Sequence, residues 1–281
     1  MKNIIYNEDC KQLLEDMKTN NVKADIILTS PPYNTGRKGT DTRNYEHRYD
    51  EYTDSRTQKE YIEWINSLFN DFNEVLKPDG VVLWNTSYGT DTTQSEDNIS
   101  TMFLSVASIL QNTDFAIADK ITWKKQSALP NNVSPNRLTR ICEDVFVFCR
   151  KSEMKTYFAN KKVSGHSPTG QTFYMNMMNF ISAPNNDEKC DLNCATFSTA
   201  FCRQLLDMYA PKNALVLDPF MGTGTTAVAS KGMGLDYIGS ELSKAQCDYA
   251  NERVKGIKYS DYKNGNAYRQ MSLFDMELEE R

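Results

Sequence analysis

Apolar positions along the chain fall into short runs of strand length that alternate with longer amphipathic stretches. A run at 24–28 predicts a strand over 25–28. Over 57–76, Ile62, Ile65, Leu68, Phe69, Phe72 and Val75 recur at the spacing of one buried helix face. Thr57 and Glu60 form the capping box that would start that helix. The same pattern predicts strands at 81–84, 116–123, 144–149, 215–218 and 237–240. It predicts helices at 98–111, 198–209, 225–232 and 243–254, the last capped by Ser243 with Gln246. Strands alternating with helices imply an α/β fold, a doubly wound and mostly parallel sheet covered on both faces. Ligands of such sheets sit at the carboxyl ends of the strands.

Composition narrows this picture without changing it. A chain of 281 residues with 40% hydrophobic content accommodates one α/β domain with insertions. It has no apolar stretch of membrane-spanning length and no signal-peptide pattern at its start, so a cytoplasmic location in a bacterial, archaeal or phage-infected cell is expected. The seven cysteines are odd in number and scattered, as expected of reduced thiols. Cys190, Cys194 and Cys202 lack a nearby fourth ligand in a chain with two histidines, so no metal site is expected.

Candidate chemistry lies where two of the strands end. Thr29-Ser30-Pro31-Pro32-Tyr33-Asn34 follows the first strand. Two prolines can neither extend a strand nor enter a helix, and their fixed φ makes the peptide rigid. A hydroxyl, rigid carbonyls and an aromatic ring then form a receptor for a planar base bearing an exocyclic amine. The strand at 215–218 runs into Asp218-Pro219-Phe220-Met221-Gly222-Thr223-Gly224-Thr225-Thr226, a glycine-rich turn that opens a helix. Such a unit binds nucleosides or dinucleotides. Without a lysine beside Thr225 and Thr226 it is not a phosphate-cradling loop, so a ligand without phosphates fits better. Glu241 ends the next strand, about twenty residues on, where a carboxylate would accept from ribose hydroxyls.

Together these motifs resemble the β class of S-adenosylmethionine-dependent DNA amino-methyltransferases, in which the Ser/Asp-Pro-Pro-Tyr motif precedes the Asp-Pro-Phe-x-Gly-x-Gly-Thr motif. The short acidic motif at Asn7-Glu8-Asp9-Cys10, the turn at Lys77-Pro78-Asp79-Gly80 and the segment Ala195-Thr196-Phe197-Ser198 resemble further parts of that class. At the last segment the chain departs from the usual pattern: Cys194 and Ser198 stand where His-Pro and Pro are common. The resemblance implies a circularly permuted Rossmann-like methyltransferase sheet with a loop-rich recognition insertion. It implies that Ser30, Pro31, Pro32 and Tyr33 are catalytic. It implies that Asp9, Cys10, Thr196, Phe197, Asp218, Pro219, Phe220, Gly222, Gly224, Thr225, Thr226, Glu241 and Leu242 bind S-adenosylmethionine. Within that set Asp218 would face the donor's amino-acid part, and a Cβ at Gly222 or Gly224 would collide with ligand.

The implied organisation is a catalytic half at 1–150 with a flap over 35–56, a target-recognition segment at 151–192, a cofactor half at 193–260 and a tail at 261–281. A net charge of −5 excludes a uniformly basic coat, but phosphate contacts are local. Ten Lys and Arg stand against three acids between Lys120 and Lys162, and a second basic cluster follows Asn34. Arg37, Lys38, Arg43, Arg48, Lys124, Lys125, Arg137 and Arg140 are therefore expected to contact double-stranded DNA. Among the family's members, Ser before Pro-Pro occurs mostly in cytosine-N4 enzymes and Asp in adenine-N6 enzymes. The expected reaction is methylation of the N4 amine of a flipped cytosine, as in a restriction-modification system. The alternative is adenine N6; an RNA methyltransferase or a non-catalytic DNA-binding relative are further alternatives. Gln270, Leu273 and Phe274 in the tail resemble a peptide that docks on the replication sliding clamp, and a homodimer is a further arrangement this reading allows.

Overall fold

The first predicted strand is the pivot of the molecule, and the rest of the chain winds outward from it in both directions. The computed structural model describes residues 1–34, 56–86, 101–128, 135, 138–187, 190, 192–193 and 196–258. The flap at 35–55, Arg37, Lys38, Arg43, Arg48, Arg137, Gln270, Leu273 and Phe274 lie outside the described residues.

In chain order the elements begin with β1 (Ile4–Tyr6), α1 (Cys10–Thr19), β2 (Ala24–Thr29), α2 (Gln58–Val75) and β3 (Leu76–Thr86). Next come α3 (Thr101–Asn112), β4 (Phe115–Lys125), β5 (Cys142–Arg150), β6 (Val163–His166), β7 (Thr172–Tyr174) and β8 (Phe180–Ala183). The chain closes with α4 (Thr199–Tyr209), β9 (Leu215–Asp218), α5 (Thr225–Gly232), β10 (Asp236–Ser240) and α6 (Lys244–Lys255). Eight strands form one sheet in the order β1-β10-β9-β2-β3-β5-β4-β8, while β6 and β7 make a separate antiparallel ribbon. Among the described residues, only the β5 pairings with β3 and β4 are antiparallel in the large sheet.

From β2 the chain moves to β3 on one side, and from β9 it moves to β10 on the other. The two central strands are neighbours, with Ile27 opposite Leu217. This is a topological switch point, where an open α/β sheet leaves a crevice beyond its strand ends. The expected peptide and the expected glycine-rich turn both emerge into that crevice.

Strict alternation sends each central strand's side chains to two cores. Ile27, Val82, Trp84, Phe146 and Phe148 face α1, α2 and α3, while Ile26, Leu28, Leu83, Val145 and Val147 face α4 and α5. Burial on both faces is why these strands read as continuous apolar runs. Phe69 of α2 is the aromatic node of the first core, with centroids 5.2 Å from Trp84, 5.3 Å from Phe115 and 5.0 Å from Phe148, all edge-on. Phe69→Leu keeps most of the volume but loses these edge contacts. It should lower unfolding stability by about 1–2 kcal/mol in urea titrations.

Several expectations are corrected by the sheet. Tyr61 takes the inward position on α2 expected of Ile62, which is half-buried, because the Tyr61 hydroxyl reaches back to donate to the Pro32 carbonyl at 2.8 Å. Within 151–192, Phe180–Ala183 pairs in parallel with β4 and so belongs to the main sheet. Leu76 pairs with Ala24 and Val81 with Ile26, so 77–80 bulge out of β3. Gly80 is required there, since a Cβ would lie 2.7 Å from the Asp25 carbonyl oxygen. Arg150, counted in the basic cluster, instead donates to the Asn73 and Leu76 carbonyls at 2.6 Å, satisfying the last turn of α2. No described helix is long and apolar enough to cross a membrane.

Candidate active site

β2 ends at Thr29 and β9 ends at Asp218, and the two side chains meet: the Thr29 hydroxyl donates to Asp218 Oδ1 at 2.6 Å. The other oxygen, Oδ2, accepts from the Thr226 hydroxyl at 2.6 Å, and Oδ1 also accepts from the Phe220 amide at 3.0 Å. Asp218 is 1% exposed, and burial pushes its carboxyl up to about 6 against the three hydrogen bonds that favour the charge. It thus clamps the Pro-Pro peptide to the glycine-rich turn from beneath. Asp218 and Thr226 are buried and are not among the residues that line the cleft.

A cleft of about 160 Å³, open to solvent, adjoins them. It is lined by Ser30, Pro31, Pro32 and Tyr33 after β2, by Pro219, Phe220, Gly222 and Thr225 after β9, and by Asp9, Cys10, Thr196, Phe197, Glu241 and Leu242. The structure therefore brings together fourteen of the seventeen expected catalytic and cofactor residues; Asp218, Gly224 and Thr226 act from behind.

Both glycines have positive φ, at +55° for Gly222 and +85° for Gly224, a region that disfavours any side chain. Gly222 lines the cleft. Gly224 does not, and the reason expected for it is corrected: its Cβ would lie 2.8 Å from the Cβ of Ala250 on α6. Glu241 fixes the turn from the next strand, Oε2 accepting from the Gly222 amide at 2.8 Å and Oε1 from the Ser243 amide at 2.9 Å. Asp9 caps α1 through the Lys11 amide at 2.8 Å while lining the cleft. Beside it, burial pushes the Cys10 thiol up to about 12, so that thiol stays protonated. Ser198 caps α4, accepting from the Phe201 amide at 3.3 Å and donating to the Pro184 carbonyl at 2.8 Å. Serine at a position often held by proline thereby gives the helix its start.

In the Pro-Pro peptide, Ser30 Oγ lies 2.8 Å from the Tyr33 hydroxyl, which accepts from the Asn85 amide at 3.0 Å. Sequence reasoning missed Glu8, Arg56, Trp64, Asn193, Met221, Thr223 and Gln246 in the lining. Trp64 stands 5.7 Å from Phe220, and the Arg56 guanidinium lies 4.5 Å over its ring. Glu8 carries a carboxyl raised above its ordinary range by burial and by Asp16. Of these, Glu8 stands in the acidic motif and Met221 and Thr223 in the glycine-rich motif, so each carried a signal, whereas Trp64 sits on a helix whose pattern reads as core. Behind the turn, Arg253 of α6 donates to the Thr225 hydroxyl at 3.0 Å and the Thr223 carbonyl at 3.2 Å, and pairs with Asp187. Asp187 in turn accepts from the Thr199 amide at 2.7 Å, tying the turn to the start of α4.

Of the expected phosphate contacts, Lys124 is exposed and Arg140 lies on the surface, but Lys125 is turned inward to pair with Glu143. Lys125 is corrected on that ground: its charge is already neutralised by a carboxylate that is 13% exposed.

A family model for DNA methylases, N6_N4_Mtase, matches residues 24–252. Among curated proteins, the type II methyltransferase M.BglII of Bacillus subtilis is 26% identical over 272 residues, spanning 90% of this chain and 69% of that protein. The type II methyltransferase M.HinfI of Haemophilus influenzae is 25% identical over 267 residues, 91% of this chain and 69% of that protein. Among solved structures, the cytosine-N4-specific PvuII DNA methyltransferase superposes with a TM-score of 0.64 at 17% identity, covering 92% of this chain and 88% of that one. The complex of M1.HpyAVI with S-adenosylmethionine gives a TM-score of 0.56 at 21% identity over 89% of this chain and 98% of that one. These superpositions confirm the expected Rossmann-like methyltransferase fold.

Proposed function

The chain belongs to the N6_N4_Mtase family of DNA methylases, and we propose that it methylates the N4 amine of a cytosine flipped out of double-stranded DNA. The carrying observation is the shared cleft: the Ser-Pro-Pro-Tyr peptide and the glycine-rich turn both line it, and the strands that carry them are tied by the Thr29–Asp218 bond of 2.6 Å. The peptide offers hydroxyl and carbonyl acceptors to an amine, and the turn offers a close backbone approach at Gly222.

The cleft also fits S-adenosylmethionine, the methyl donor of this reaction. Glu8 and Glu241 offer acceptor oxygens to amine and hydroxyl groups, Trp64 and Phe220 offer ring faces, and Gly222 leaves no side chain in the way. When bound, that donor supplies a methyl group already activated by its sulfonium. The protein's part is then orientation. Ser30 Oγ and the Pro31 carbonyl accept from the target amine, drawing its lone pair out of the ring and toward the donor side of the cleft. The prolines keep these acceptors fixed, so little reorganisation accompanies the reaction. Pro32 is held separately, its carbonyl already accepting from Tyr61.

A flipped base is needed because the amine is otherwise buried in the stack. The exposed Lys124 and Arg140 supply phosphate contacts, while the segment at 151–192 serves target recognition. A restriction-modification setting matches these roles. Mass spectrometry of nucleosides from DNA treated with enzyme and donor should yield N4-methylcytosine. N6-methyladenine as the sole product would overturn the choice of base and leave the reaction class intact.

Arg253→Ala removes the brace behind the turn without touching the cleft. The dissociation constant for S-adenosylmethionine should rise about tenfold by calorimetry, the loss of one or two charge-assisted hydrogen bonds, while transfer at saturating donor persists. Unchanged donor affinity would remove Arg253 from the cofactor site.

A further inference from the structure

The polar chain behind Ser30 runs deeper than the cleft. Beyond Tyr33, the Asn85 side-chain nitrogen donates both to the Tyr33 hydroxyl at 3.0 Å and to Glu143 Oε2 at 3.1 Å. The other Glu143 oxygen pairs with Lys125, whose ammonium stands 5.0 Å over the Trp123 ring. Asn85 is 1% exposed at the end of β3, and antiparallel pairing of β3 with β5 brings it beside the strand that carries Glu143. Asn85, Glu143 and Lys125 stand outside the cleft wall.

The direction of this chain follows from donor and acceptor inventory. A carboxylate only accepts, so the nitrogen of Asn85 must face Glu143. That orientation leaves Asn85 Oδ1 buried with no hydrogen-bond partner among the described residues. Turning the amide over would set its oxygen against a carboxylate oxygen instead. The nitrogen's second hydrogen then goes to Tyr33. The Tyr33–Ser30 contact at 2.8 Å can run in either direction by geometry, and the phenol, the more acidic of the two hydroxyls, is the favoured donor. Hydrogen bonds aligned in one direction strengthen each other in a low-dielectric interior.

We propose that Asn85 and Glu143 are positioning residues for the methyl-acceptor site: they fix Tyr33 as the donor to Ser30, so that Ser30 retains one lone pair and its own proton for the base. That pair of functions complements an edge where an exocyclic amine adjoins a ring nitrogen, since the amine gives a hydrogen bond and the ring nitrogen takes one. Lys125 pairs with the other Glu143 oxygen and holds that side chain in place. The inference rests on the reading of Ser30 as the amine acceptor.

Asn85→Asp is isosteric and tests the direction. An acid beside Glu143 accepts from Tyr33, turning that phenol away from Ser30, and the two carboxylates repel once both are charged. The expected result is kcat about tenfold to a hundredfold below wild type, falling further as pH rises from 6 to 9, with donor affinity unchanged. Glu143→Gln keeps an acceptor oxygen for Asn85 and should retain most of kcat, whereas Glu143→Ala should lose about as much as Asn85→Asp. Circular dichroism and donor binding establish that each variant is folded. Wild-type kcat and pH profile in Asn85→Asp, or equal losses in the two Glu143 variants, would overturn the inference. Ser30→Ala separates the two readings. Wild-type transfer by that variant would overturn the role of Ser30 itself, while its loss beside a fully active Asn85→Asp would overturn the positioning role alone.

Discussion

Ser30→Ala is expected to lose at least about a hundredfold in methyl transfer while binding S-adenosylmethionine as well as wild type. An amine conjugated to a base ring is a poor nucleophile, because its lone pair is shared with the ring. An acceptor held by the Pro31-Pro32 backbone helps only if it meets the amine more strongly as the nitrogen becomes tetrahedral. Removing one such preorganised group typically costs about 10²–10³ in rate. The donor's affinity should be untouched, since Ser30 belongs to the Pro-Pro peptide and not to the glycine-rich turn that approaches the donor. Single-turnover transfer to duplex DNA, paired with calorimetry for the donor, reads both quantities. A Ser30→Ala enzyme that transfers at the wild-type rate would remove Ser30 from the chemistry. One that binds neither DNA nor donor would show the serine to be structural. Ser30→Thr keeps the hydroxyl and should restore part of the loss, because the Tyr33 bond at 2.8 Å still has a partner.

Much of this site is visible in the sequence because its parts are local. A strand that ends in two prolines, and a strand that ends in glycines before a helix, are each fixed by neighbours along the chain. Helix α2 is equally legible, since its face and its capping box both follow from spacing, and only the phase of Tyr61 against Ile62 slips. What is not legible depends on pairing across the sheet. β1 has three residues and β8 four, too short for a period, and each exists because a longer strand offers it an edge. Asn85 and Glu143 belong to different strands, and nothing in either segment says that β3 and β5 run antiparallel. Burial is the other gap. Lys125 counts toward a basic cluster in the sequence, yet its partner Glu143 cancels it in space. Asp218 reads as a ligand-facing acid, because a motif cannot tell a side chain that lines a cleft from one that is buried.

That buried acid has a measurable signature. Burial raises the Asp218 carboxyl from 3.8 to about 6 in the folded protein. The folded state therefore holds its proton over a window where the unfolded chain has released it, between about pH 4 and 6. Stability linked to this group is present below that window and is lost as pH rises through it. A shift of this size corresponds to about 3 kcal/mol, and the side chain is buried enough for most of it to register. Asp218→Asn removes the titration while keeping an acceptor for the Thr29 hydroxyl and the Phe220 amide; the Thr226 hydroxyl turns to accept from the new amide nitrogen. Urea unfolding at pH 4.5 and pH 7.5 should then show wild type losing about 2 kcal/mol more than Asp218→Asn across that interval. Other carboxylates contribute their own slopes, which cancel in the comparison of the two proteins. Equal slopes would mean that Asp218 titrates as an ordinary surface acid. A steeper slope in the variant would mean that the charge is favoured where it lies, and that the three donors around it outweigh burial.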